Sequence, residues 1–98
     1  MNTGVSAKQK AAIERLIRIA QSDTGQSGRV ANFLLAWWNA EECGGFDLTD
    51  LWNVDAAIAD DMVTVFDLLA KLNSYPDTLG YGEQFGRIVA EWRSALKK

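Results

Sequence analysis

Histidine does not occur in this sequence. With it go the commonest general base, the commonest metal ligand and the usual activator of a serine or cysteine nucleophile. Catalysis by carboxylates alone, or a hard-cation site built from oxygen ligands, is what stays open. A non-enzymatic protein without a metal or cofactor is therefore expected. Cysteine is almost as scarce, and the single Cys43 has no partner for an internal disulfide, which suits a reducing, cytoplasmic setting. No apolar run approaches the ~20 residues of a membrane-spanning helix. The stretch from Met1 to Lys10 lacks the basic-then-apolar order of a signal peptide, so neither membrane insertion nor export is expected.

Basic residues are missing from one long region. Between Val30 and Ala70 there is no Lys or Arg, while Glu41, Glu42, Asp47, Asp50, Asp55, Asp60, Asp61 and Asp67 all fall there. The flanks hold every one of the 10 basic residues. The chain is acidic in its middle and basic at its ends.

What is present is a core's worth of apolar side chain. Hydrophobic residues make up 48% of the 98, with four tryptophans among them, enough for one domain that buries roughly 60–65% of its unfolded surface. The periodicity is helical throughout, with no sustained alternation of the strand kind. Ser6 is placed to cap a first helix running to about Gln21 or Ser22, with Ile13, Leu16, Ile17 and Ala20 on one face. Small polar residues from Ser22 to Gly28 form a loop, and Ser27 is placed to cap a second helix, Gly28 to Glu42, whose apolar arc centres on Val30, Phe33, Leu34 and Trp37. This should be the central element. Cys43-Gly44-Gly45 stops it, and Phe46 to Trp52 is a loop or a short helical turn capped by Asp47 or Thr49.

A third helix is expected from about Asn53 or Asp55 to Asn73. It carries Ile58, Met62, Val65, Phe66, Leu69 and Leu72 inward and Asp60, Thr64, Asp67 and Lys71 outward. Pro76 ends that stretch by pushing Tyr75 out of the helical region. The fourth helix spans about Gly82 to Leu96 and buries Phe85, Ile88, Val89 and Trp92. The expectation is an all-α, compact single-domain bundle of about four helices over residues 1–98, with a short extra turn near 47–52 and flexible ends at 1–6 and 97–98.

Several constellations that suggest chemistry have plainer readings. Asp55, Asp60 and Asp61 match no calcium loop and read as a solvated surface. Gly44-Gly45-Phe46-Asp47 lacks the preceding strand of a phosphate loop and reads as helix termination. Glu41 and Glu42 should raise the Cys43 thiol pKa, making it inert rather than reactive. Trp37, at the centre of its arc, is expected in the core. Trp38 and Trp52 have two readings: anchors for a partner, or side chains packed under the Gly44 to Asp55 loop. The acidic segment also has two: neutralisation of the basic first and last helices, or an outward anionic surface.

The strings Gln26 to Ala40, with its Trp37-Trp38-Asn39, Cys43 to Trp52, and Tyr75 to Tyr81 resemble a family of small uncharacterised proteobacterial proteins often encoded on plasmids and integrative elements. The resemblance extends from about Ile13 to Trp92. It implies a bacterial, mobile-element origin and supplies no catalytic residue. Small acidic proteins in that genomic company include inhibitors of host defence complexes, anti-CRISPR proteins among them. The leading expectation is a protein-binding module. Its candidate contacts are Trp38, Asp47, Asp50, Trp52, Asp55, Asp60 and Asp67, and its partner presents a basic surface such as that of a nucleic-acid-binding complex. Direct nucleic-acid binding is not expected. The alternative is a self-associating structural or regulatory protein, in which case a homodimer forms.

Overall fold

The computed structural model describes residues 4–94. Its helices are α1 (Ala7–Ala20), α2 (Ser27–Cys43), α3 (Ala56–Lys71) and α4 (Gly82–Trp92), with short 3-10 helices at Leu48–Asn53 and Pro76–Leu79. No strand occurs among the described residues. A radius of gyration of 12.6 Å is that of one compact domain of this size, for which scaling gives about 13 Å. The last helix stops at Trp92, short of the expected Leu96, because Arg93 leaves the helical region at φ −135° and ψ 50°. The parts of the expected flexible ends at 1–3 and 97–98 lie outside the described residues.

Ser6 caps α1 as its sequence requires. Its hydroxyl accepts from the Gln9 N–H at 3.1 Å while the Gln9 side chain accepts from the Ser6 N–H at 2.9 Å, a reciprocal pair that satisfies two otherwise orphaned donors. Ala12, Ile13, Leu16, Ile17 and Ala20 then form its buried face. The hub of the fold is α1 rather than the expected α2, because α1 packs on α2, α3 and α4. α2 still buries more of its side chains, Val30, Ala31, Phe33, Leu34 and Leu35 among them.

Two details of α2 differ from expectation. Ser27 does not cap it: the helix starts one residue earlier, with Gln26 at the cap position. The fully buried Ser27 hydroxyl turns back to the loop and accepts from the Thr24 N–H at 3.0 Å. Near its other end the helix breaks at Asn39, whose backbone is extended. The Asn39 side-chain oxygen accepts from the Glu42 N–H at 3.2 Å, so Asn39 caps the last turn as a fresh helix start. Gly44 closes that turn at φ 96° and ψ 158°, a region open essentially to glycine alone.

On α3 the buried strip is Ile58, Met62, Val65 and Leu68. Phe66, expected inward, is 62% exposed, and Leu69 and Leu72 are half-buried. At about 100° per residue, Phe66 and Val63 lie on the far flank of the arc from Leu68. The helix is apolar around more than half its circumference, and the core takes only one side of it. α4 buries Phe85 and Ile88. Both tryptophans of α2 pack on Phe85, Trp37 edge-on and Trp38 stacked, each with centroids 5.7 Å apart. Trp92 donates to the Ala20 carbonyl at 2.7 Å, fixing the end of α4 to the end of α1.

Candidate protein-docking site

α2 and α3 each pack on α1 but scarcely on one another. The seam between them, roofed in part by the 3-10 helix Leu48–Asn53, is an open groove of about 470 Å³. α2 contributes Phe33, Ala36 and Trp37, and α3 contributes Met62, Val63, Phe66 and Leu69. The connection contributes Phe46, Leu48 and Leu51. Leu48 and Leu51 share one face because a 3-10 helix repeats every three residues. Phe46 is held in place by an edge-on contact with Phe33 at 5.2 Å.

Every lining side chain is apolar except that of Trp37, whose indole N–H donates to the Ser74 carbonyl at 3.0 Å. No lining side chain is therefore left to orient a polar ligand. Leu48 is 67% exposed, Phe66 62% and Val63 58%, so three of the groove's apolar side chains face water.

All ten lining residues fall between Val30 and Ala70, the region without a basic residue. On α3 the groove is edged by Asp60 and Asp67, three residues before and four after Val63 and so on its own strip of the helix. Asp60 makes no ion pair or side-chain hydrogen bond among the described residues, and Asp67 is paired to Lys71 at 3.2 Å. On the opposite side Asp47 caps the 3-10 helix, accepting from the Thr49 hydroxyl at 2.8 Å and its N–H at 3.0 Å. These hydrogen bonds, the hydroxyl's first, hold the Asp47 carboxyl below its ordinary pKa.

The other sequence candidates are placed differently. Asp50 approaches Arg29 at 3.7 Å. Asp55 accepts from the Gln26 amide at 3.1 Å while its own N–H returns a bond to the same side chain, which ties the starts of α2 and α3 together. These two carboxylates face the beginning of α2 rather than the groove. Trp52 is 81% exposed. Trp38, half-buried on Phe85, borders a separate hollow with Asn39, Glu41, Tyr75 and Asp77.

Sequence reasoning assigned five of the groove residues to the core, namely Phe33, Trp37, Met62, Phe66 and Leu69; Phe33 and Met62 are buried, whereas Phe66 is exposed. Trp37 is half-buried and forms a wall of the groove. The available signal was the width of the apolar arc on α3, too broad for one buried face. Cys43 is buried. Burial, more than Glu42, pushes its thiol pKa up, against a smaller opposing pull from Arg93. The Arg93 guanidinium donates to the Cys43 carbonyl at 3.0 Å and to the Asn32 side chain. No cluster of three or more carboxylate or cysteine groups suited to a metal occurs among the described residues. Nor is any described helix long and apolar enough to cross a membrane.

A small all-α domain with an open, acid-edged apolar groove is the class these features define. The chain belongs to a family of unknown function (DUF7673), whose model matches residues 10–93. No curated protein and no solved structure matches it.

Proposed function

We propose that this chain is a non-enzymatic protein-binding module that docks a partner in the groove between α2 and α3. The observation that carries the reading is the groove's lining, whose side chains are apolar, partly exposed and without a free polar group. Small-molecule sites combine apolar walls with a few convergent polar groups, whereas an apolar strip with a charged edge is the anatomy of a protein interface. The acidic margin favours a partner with a basic surface and disfavours nucleic acid. The finer proposal is an inhibitor of a bacterial defence complex, carried by a mobile element in the manner of anti-CRISPR proteins and acting on a basic nucleic-acid-binding partner.

A second reading, self-association, is favoured by the exposure of Trp52, Leu48 and Phe66. Affinity capture from a bacterial lysate with the wild-type chain and with Phe66→Ser, followed by mass spectrometry, separates the two. A captured protein lost with Phe66→Ser supports docking in the groove. Capture indifferent to that substitution, or light scattering that shows a dimer broken by it, goes against the proposal.

A further inference from the structure

Resting on the docking reading of the groove, we infer that its occupant is a basic amphipathic α-helix of a partner protein. The helix seats its apolar stripe on Leu48, Val63 and Phe66 and its cations over Asp60 and Asp67. Helix follows from the lining. An extended segment laid in this groove buries backbone N–H and C=O groups against walls whose side chains offer no free partner, since the Trp37 indole is already bound to Ser74. Each such loss is costly, and strand addition has no sheet edge to use among the described residues. A helix satisfies its own backbone and presents side chains alone.

The length agrees. Met62 to Leu69 along α3 covers about 10–12 Å at ~1.5 Å per residue. That is two turns, room for apolar residues at i, i+3 or i+4, and i+7.

The charge comes from the segment itself. Val63 is flanked on its own helix strip by Asp60 and Asp67, and Leu48 follows Asp47. The nearest cation in sequence, Lys71, is already engaged by Asp67. A second copy of this chain fits poorly, because a two-fold contact through the same patch sets Asp60 and Asp67 of each copy into one interface. Phosphate-bearing partners meet the same repulsion.

The test uses three synthetic peptides of about 18 residues, long enough to be helical when bound, read by fluorescence anisotropy against the full chain. One carries leucine at i, i+3, i+4 and i+7 with lysine elsewhere. The second replaces lysine by glutamate, and the third scrambles the first so that the periodicity is lost. The periodic lysine peptide is expected to bind at least about ten-fold tighter than its scramble, and the glutamate peptide not to bind. Phe66→Ser, at an exposed position, should weaken binding about ten-fold with circular dichroism unchanged. Asp60→Asn with Asp67→Asn should weaken it several-fold and flatten its salt dependence. Equal binding of the scramble, or indifference to Phe66→Ser, overturns the inference. Should the lysine peptide fail while lysate capture still depends on Phe66, the helix assignment falls and the docking reading stands. Loss of the Phe66 dependence in capture removes the docking reading itself.

Discussion

Arg15 on α1 grips Asp61 on α3 through two parallel hydrogen bonds, Nε and one terminal nitrogen each 2.8 Å from a carboxylate oxygen. The hydrogen bonding, followed by the charge of Asp61, holds the guanidinium pKa above its ordinary value. One carboxylate of the acidic segment is thus committed to joining α3 to the hub helix, whereas its neighbour Asp60 points away. Asp61→Asn should lower the melting temperature measurably and Asp60→Asn should not, although the two changes are chemically identical and adjacent. Equal effects in thermal denaturation would show that the bidentate geometry contributes nothing beyond a surface charge.

The tryptophans divide by environment. Trp38→Ala removes the ring stacked on fully buried Phe85 and should destabilise the fold, with Phe85→Ala costing about 3–5 kcal/mol in urea denaturation. Trp52→Ala, at 81% exposure, should stay within about 0.5 kcal/mol of wild type.

Tyr81 supplies an alkaline signature. Tyr81 is buried as a residue, and its partly buried hydroxyl donates to Glu14 at 2.9 Å. Burial first, then that hydrogen bond and the carboxylate's charge, push the phenol from 10.0 up to about 12. A raised folded pKa means that the neutral form is favoured by folding. The stabilisation is complete below pH 10.0 and is lost as pH climbs toward about 12. Denaturation midpoints should fall across that window, and the fall should be shallower in Tyr81→Phe.

Gly44→Ala should cost about 1–3 kcal/mol, because the closing residue of α2 sits where a side chain is strained whatever space surrounds it. Gly45→Ala is the matched control. That glycine has open space around it and no positive φ, so its stability should change little.

Much of the fold is legible in the residues. Ser6 and Gly44 mark element ends by backbone chemistry that no tertiary contact has to supply, whereas α3 stops at Lys71 with Leu72 already extended, and Pro76 opens the next 3-10 helix instead of ending α3. The 3.6-residue period likewise places Ile13, Leu16, Val30, Met62 and Phe85 inward. What the period cannot fix is how far round a broadly apolar helix the core extends. Phe66 and Leu68 are both apolar, and only the position of α1 decides that Leu68 is buried and Phe66 is not. The break at Asn39 was visible in part, as an excellent capping residue inside a helical run, yet its side chain equally suits a solvated stripe.

The site was legible as charge and illegible as shape. Sequence isolates the segment without Lys or Arg, but it does not reveal that Asp50 and Asp55 turn toward Arg29 and Gln26 while Asp60 and Asp67 edge an open seam. That seam exists because α2 and α3 both pack on α1 and leave space between themselves, a property of three helices together.

The most direct measurement is the double charge reversal Asp60→Lys with Asp67→Lys, assayed for partner capture and for helical content in the same preparation. Docking at an acid-edged groove predicts lost capture with the circular dichroism spectrum and melting temperature essentially unchanged, since outward charges contribute little to stability. A lowered melting temperature with capture retained by the folded fraction would contradict it, and would assign these carboxylates to charge balance within the fold.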